Sequence, residues 1–142
     1  MSDLLYRKEL LRLAADAHGA GRLTGAKVTG HAHNPICGDH VTIDLKVVNG
    51  HVEAVAQETK ACVLTQASAS ILGLALKQMS RANVDALYGA LVAMLQQGGS
   101  APGVPFGAFA AFKGAMEYPG RHRCVLLPVE AALAAFDASE TA

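Results

Sequence analysis

The feature that most constrains the fold is a β-hairpin encoded in residues 41–53. From Val41 to Val47, apolar side chains alternate with polar ones, which is the period of a half-buried strand. Asn49 and Gly50 then supply the favoured central pair of a two-residue type I′ turn. A hairpin with one apolar face is not stable alone, so other elements must cover that face. The two-residue turn predicts the pairs Val48–His51, Val47–Val52 and Lys46–Glu53. The polar residues that alternate along the first hairpin strand are Thr42, Asp44 and Lys46.

The segments on either side of the hairpin predict one further strand and several helices. An amphipathic helix is predicted at 3–18 and a glycine-interrupted strand at 22–32. Pro105 and Pro128 each suit the first turn of a helix, so the closing helix is predicted to begin at Pro128. Strands followed by helices are typical of an α+β fold whose antiparallel sheet is covered on one face. The helices predicted after the hairpin are 62–80, 84–97, one holding Phe106, Phe109 and Met116, and 128–136.

The composition argues against several classes of protein. Twelve Lys and Arg residues balance twelve Asp and Glu residues over 142 positions. No nucleic acid or acidic membrane is therefore expected as a partner, since both are usually met by a basic excess. The chain has no apolar run of about 18 residues, and its charged start lacks a signal-peptide core. Three cysteines, an odd number, favour a reducing, cytoplasmic setting. A single domain, 1–142, is expected.

The three cysteines are candidates for one metal site. Cys37 shares a Pro–x–Cys–Gly–Asp turn with Asp39. Cys62 is predicted at the start of a helix and Cys124 just before the last one, and helix N-termini favour thiolates. Three thiolates and one carboxylate suit tetrahedral binding of zinc or of the iron of a cluster. The cations close to Cys62 and Cys124, which favour thiolates further, are Lys60, Arg121 and Arg123.

The spacing of the cysteines does not by itself establish a metal site. Because the chain has no C-x-x-C pair, each cysteine is also compatible with a small buried apolar residue. Histidines compete as ligands, and His122 is the strongest of them because it lies two positions from Cys124. The six histidines are His18, His31, His33, His40, His51 and His122, and most of them are expected on the surface.

Three motifs give a more specific indication: N-P-x-C-G-D at 34–39, C-x-x-x-x-A-S-A-S from Cys62, and R-x-x-C ending at Cys124. Together they resemble the U-type iron–sulfur cluster assembly scaffold family, whose branches include IscU, SufU and the N-terminal part of NifU. The resemblance covers nearly the whole chain. It implies a three-stranded antiparallel sheet packed with about five helices, the SufE/NifU-like fold. The sequence is most similar to the SufU branch, because of the long interval before Cys124 and because of Arg121.

The resemblance also implies roles for single residues. Cys37, Asp39, Cys62 and Cys124 would hold zinc, and Cys37 would receive a persulfide from a pyridoxal-phosphate cysteine desulfurase. Arg121 would stabilise the negative charge left when the site opens. As a scaffold, the same cysteines would hold iron in a transient [2Fe–2S] cluster for recipient apo-proteins or other assembly proteins. In the IscU branch Cys124 would take the sulfur instead.

The sequence departs from the family pattern in three places. Lys60 and Ala61 precede Cys62 where relatives commonly carry Gly-x-Gly. Arg123 stands directly before Cys124 where the IscU branch usually has a histidine, and the IscU Leu-Pro-Pro motif is absent. The main expectation is a scaffold or sulfur acceptor rather than an enzyme. The alternatives are a structural zinc adaptor and, less favoured, a zinc hydrolase, since zinc with exchangeable ligands can activate water.

Overall fold

Three antiparallel strands and a set of helices form the fold. The computed structural model describes residues 8–36 and 38–141, with residues 140 and 141 described for their backbone only. The strands lie in the order β1-β2-β3. The expected α+β class, with a three-stranded sheet and five helices, is confirmed. The strands are β1 (Val28–Asn34), β2 (Asp39–Val48) and β3 (His51–Lys60); the helices are α1 (Lys8–Asp16), α2 (Val63–Ala75), α3 (Arg81–Gln97), a 3₁₀ helix (Gly107–Glu117) and α4 (His122–Thr141), which a short 3₁₀ turn (Pro119–Arg121) precedes.

The hairpin turn forms as predicted, but the register beyond it differs by one residue. Asn49 and Gly50 both have positive φ, 54° and 80°, which a type I′ turn requires. The first two pairs on either side of the turn are those predicted. Lys46 then faces Ala54 instead of Glu53, because the register shifts between Lys46 and Val47. The predicted Lys46–Glu53 pair is therefore wrong as a register, although the two side chains still meet, with Nζ 3.6 Å from Oε2.

The core lies between one face of the sheet and the helices. Val41, Ile43 and Leu45 are fully buried, as the alternation predicts. Helix α4 packs along β1 and β2, and α2 and α3 pack against α4. In the described part of the chain, no helix combines the length and the apolarity needed to cross a bilayer.

The opposite face of the sheet is less open than the alternation suggests. Asp44, predicted on the polar face, is fully buried. Arg22 and the backbone of Leu23 cover it and donate hydrogen bonds to its carboxylate. The predicted strand 22–32 is therefore wrong at its start, because this segment folds over β2, and β1 begins only at Val28.

The helix boundaries differ from the predicted ones for local reasons. The part of the predicted helix 3–18 before Lys8 lies outside the described residues. The predicted helix 62–80 ends at Ala75. After it, the chain pairs with the start of β3, since Val52 N donates to Met79 O (2.9 Å) and Gln78 N donates to Val52 O (2.8 Å).

The closing helix begins six residues earlier than predicted. Helix α4 starts at His122, so Pro128 lies inside it and Cys124 lies in its first turn rather than before it. Proline has no N–H, and its ring crowds the carbonyl four residues earlier, which here belongs to Cys124. The Thr65 hydroxyl from α2 donates a hydrogen bond to that carbonyl at 3.0 Å. A tertiary contact thus compensates for the proline.

Candidate metal centre

Three of the four predicted ligands converge at one end of the sheet. A carboxylate oxygen of Asp39 and the sulfurs of Cys62 and Cys124 all lie within 4.8 Å of one another. Each comes from a different element: Asp39 opens β2, Cys62 is the N-cap of α2, and Cys124 lies in the first turn of α4. Asp39 and Cys124 are buried, whereas Cys62 is half-buried. Cys37 lies outside the described residues, so its part in the site stays a prediction.

A short loop brings the first two strands together beside Asp39. Asn34 and Asp39 form the last pair of the β1–β2 ladder. Inside the loop, the Asn34 side chain accepts from Ile36 N (3.1 Å), and its backbone carbonyl accepts from Gly38 N (2.7 Å). Ile36 projects with 94% of its surface exposed. The two hydrogen bonds tie the loop at its base, so Asp39 is held in a fixed, buried position at the end of the ladder.

Thr65 joins the three ligands although no motif singles it out. Its buried hydroxyl lies 3.2 Å from Asp39 Oδ2, 3.0 Å from the Cys124 carbonyl and 3.5 Å from Cys62 Sγ. Thr65 follows Cys62 by three positions on α2, where side chains share a face. One hydroxyl therefore fixes the spacing of a strand and two helices. Sequence reasoning missed it because its partners lie 26 and 59 residues away.

The thiols of Cys62 and Cys124 are coupled through a hydrogen bond. The hydrogen bond from the Cys124 thiol lowers the pKa of Cys62 to about 6, against burial, which raises it. The pKa of Cys124 is raised well above its ordinary range, because it gives that hydrogen bond and because it is buried. Metals bind the thiolate form, so a divalent cation bound by both sulfurs would displace the proton that Cys124 holds.

The donor set suits zinc or iron. Thiolates at about 2.3 Å from a tetrahedral zinc lie about 3.8 Å apart, so small side-chain rotations would close the present group around an ion. Two sulfurs and one carboxylate leave one position open. Among the side chains that the structure describes, in residues 8–36 and 38–139, no further His, Cys, Asp or Glu joins the group.

None of the hydrogen bonds that the described residues make to Asp39, Cys62 or Cys124 comes from the other predicted site residues. Arg121 is exposed in the 3₁₀ turn before α4 and forms no ion pair within the described ranges. The His122 ring contacts the Met116 carbonyl, with Nε2 at 3.2 Å, and is not part of the group. Lys60 is exposed at the end of β3. The proposed role of Arg121 stays a prediction.

Two curated proteins are similar to this chain. The first is the iron–sulfur cluster assembly scaffold protein IscU of Thermotoga maritima, 36% identical over 69 residues, which is 49% of this chain and 49% of that protein. The match thus spans about half the length of the scaffold. The second is the zinc-dependent sulfurtransferase SufU of Bacillus subtilis, 26% identical over 125 residues, 88% of this chain and 84% of that protein.

Solved structures and a family model extend the likeness to nearly the whole chain. The N-terminal part of a nitrogen-fixing NifU-like protein from Brucella abortus superposes with a TM-score of 0.90 at 31% identity, over 99% of this chain and 97% of that one. A putative SUF-system scaffold from Fervidobacterium islandicum shares the fold, with a TM-score of 0.81 at 21% identity over 92% and 96%. The NifU-like N terminal domain model matches residues 5–125. The chain therefore belongs to the NifU-like N-terminal domain family, the U-type scaffolds that its motifs resemble.

Proposed function

We propose that this protein serves iron–sulfur cluster assembly, holding either one zinc ion or a transient [2Fe–2S] cluster through Cys37, Asp39, Cys62 and Cys124. The observation that carries the proposal is the meeting of Asp39, Cys62 and Cys124 from three separate elements. The names of the relatives, a cluster assembly scaffold and a zinc-dependent sulfurtransferase, support it.

Asp39 makes the site suited to exchange. A carboxylate is a harder and more readily replaced ligand of zinc or iron than a thiolate. Structural zinc sites tend to be closed by cysteine and histidine alone. The Thr65 hydroxyl lies 3.2 Å from Asp39 Oδ2, so its one proton can turn from the Cys124 carbonyl to the released carboxylate. Asp39 is therefore the ligand that gives way when sulfur or a cluster moves.

Sulfur acceptance is assigned to Cys37. Its thiolate attacks the outer sulfur of the persulfide carried by a cysteine desulfurase; one S–S bond forms as another breaks, and the partner's cysteine leaves as a thiolate. No further oxidant or reductant is needed. Zinc, when bound, keeps the thiolates of the site unprotonated. Arg121, exposed in the turn before α4, is assigned the role of balancing the negative charge of the opened site.

The alternative acceptor is Cys124, and its surroundings argue against it. Cys124 is only 4% exposed. Its backbone is fixed by Thr65, and its thiol hydrogen-bonds to Cys62. A partner's persulfide would have to enter the core to reach it. A hydrolase is disfavoured as well, because no Glu or His among the described residues joins the group as a general base.

The metal content of protein purified without air tests the site. We expect one metal site per chain, with zinc alone favouring a sulfur shuttle and iron with equimolar sulfide favouring a scaffold. Cys62→Ser and Cys124→Ser should each lose most of the metal. Asp39→Ala should keep it but exchange it at a changed rate, while Asp85→Ala, at an exposed carboxylate, should match the wild type. Full occupancy in either cysteine variant would remove that residue from the site.

Mapping of transferred sulfur tests the acceptor. After incubation with its cysteine desulfurase and cysteine, the protein should carry one added sulfur atom, which mass spectrometry should locate on Cys37. Cys37→Ser should carry none. Arg121→Ala should slow the transfer, and Arg12→Ala, at an exposed cation on α1, should not. Sulfur on Cys124 with Cys37 unmodified would overturn the assignment.

A metal-free chain that stays folded would exclude the structural zinc adaptor, which should unfold without its ion.

A further inference from the structure

Three of the chain's six histidines lie on one exposed surface of the sheet. His31 and His33 are two residues apart on β1, so their side chains leave the same face. His40 on β2 is the register partner of His33. The rings of His33 and His40 stack, with centroids 5.4 Å apart and planes 22° apart. This surface is the histidine face.

His31 already has the hydrogen bond that metal-binding histidines use. Its Nδ1 lies 3.1 Å from Thr42 Oγ1, the side chain opposite it on β2. A histidine ligand almost always has its second ring nitrogen held by such a partner, which sets the tautomer and the orientation of the ring. The bond to Thr42 leaves Nε2 of His31 available to a cation.

The spacing of the three backbones allows their rings to meet. Residues two apart on a strand are separated by about 6.6 Å, and directly opposed residues by about 4.5–5.5 Å. Across these separations, imidazole side chains are long enough for their nitrogens to lie roughly 2 Å from one shared zinc ion. In the present arrangement they do not converge, since within the described ranges only Asp39, Cys62 and Cys124 do so. The exposed rings of His33 and His40 have room to turn from stacking to binding.

The neighbouring charges complete the histidine face. Glu58 on β3 lies opposite Thr42, and Lys60 lies opposite His40. With His40 and Thr42 they line a shallow hollow of about 250 Å³. Glu58 provides a carboxylate beside His40. The hollow is open to water, which supplies any remaining ligand.

The geometry points to a second metal site on this face, formed by His31, His33 and His40, for a first-row divalent cation that prefers imidazole. Zinc, copper and nickel have that preference. The site is separate from the group of Asp39, Cys62 and Cys124, because Asp39 and His40 are consecutive on β2 and therefore point to opposite faces, one buried and one exposed. The inference does not depend on the proposed function.

Zinc titration followed by equilibrium dialysis tests this site. The wild type, first saturated at its cysteines, should bind a further equivalent of zinc. His31→Ala, His33→Ala and His40→Ala should each weaken that second binding at least about tenfold. His51→Ala and His122→Ala, at histidines outside the face, should leave it unchanged. The proton NMR signals of the imidazoles of His31, His33 and His40 should shift as the second equivalent binds.

Cobalt(II) separates this proposal from the cysteine site. Thiolate-bound cobalt absorbs strongly in the near ultraviolet, whereas imidazole-bound cobalt does not. If the proposed function fails, the thiolate band is missing while the histidine-dependent equivalent remains. Wild-type protein that takes up no more metal than His31→Ala would overturn the second site. So would a second equivalent that all three histidine substitutions leave in place. The substituted side chains are exposed, so circular dichroism should show folded variants.

Discussion

Replacing Gly30 with alanine should reduce the free energy of unfolding by about 3 kcal/mol. Gly30 lies in β1 under helix α4. A Cβ atom at this position would fall 2.1 Å from the carbonyl oxygen of Ala131 and 2.3 Å from the nitrogen of Ala135. Both are backbone atoms of α4, so no side-chain rotation relieves the clash. The helix must move away from the sheet, and apolar contacts along its length are lost.

Denaturant unfolding measures this loss, and Gly89 on α3 provides the matched control. A Cβ at Gly89 meets no atom within 4 Å. Gly89→Ala should therefore raise the free energy of unfolding by about 0.5–1 kcal/mol, since alanine favours the helix. Because α4 also carries Cys124, Gly30→Ala should weaken metal binding, whereas Gly89→Ala should not. A Gly30→Ala variant as stable as the wild type would show that α4 does not pack this closely on β1.

Local signals predicted the hairpin well because they are contained in a few neighbouring residues. The Asn49–Gly50 turn and the alternation from Val41 to Val47 each rest on backbone preferences that need no partner. The bulge beyond Lys46 left no such signal. Pro128 led to a wrong start for the last helix, because the preference of proline for a first turn is only an average over many helices. Here the Thr65 hydroxyl, from another helix, hydrogen-bonds the carbonyl that Pro128 leaves without an N–H partner, and no local signal indicates that contact.

The candidate site could be predicted only through motifs. Cys62 and Cys124 lie far apart in the chain, and nothing in their separation says that their sulfurs meet. The resemblance to a family supplied the set of four predicted ligands, and the fold brings three of them, Asp39, Cys62 and Cys124, together. The histidine face could not be predicted from the sequence, because its geometry depends on which residue of β1 pairs with His40. A glycine-interrupted segment gives no indication of that register.

Asp44 is a buried carboxylate on the sheet face opposite the core, where it holds the segment at residues 22 and 23 against β2. Asp44→Ala should lower the free energy of unfolding by about 3 kcal/mol. Its carboxylate accepts from Arg22 Nε (2.7 Å), from the Leu23 backbone (3.0 Å) and from Thr29 Oγ1 (2.7 Å). The substitution removes the acceptor that holds residues 22 and 23 over β2. The exposed Asp85→Ala should change stability by no more than about 0.5 kcal/mol.

The contribution of Asp44 should also depend on pH. Burial alone would raise the pKa of Asp44, but the hydrogen bonds from Arg22, Thr29 and Leu23 lower it from 3.8 to about 2. A carboxyl whose pKa is lower in the folded state stabilises the protein above its unfolded pKa and loses that effect as the pH falls. The stability difference between wild type and Asp44→Asn should therefore be constant above about pH 5 and shrink between about pH 4 and pH 2. Denaturant unfolding at a series of pH values measures it, and a difference that grows toward low pH would contradict the ion pair.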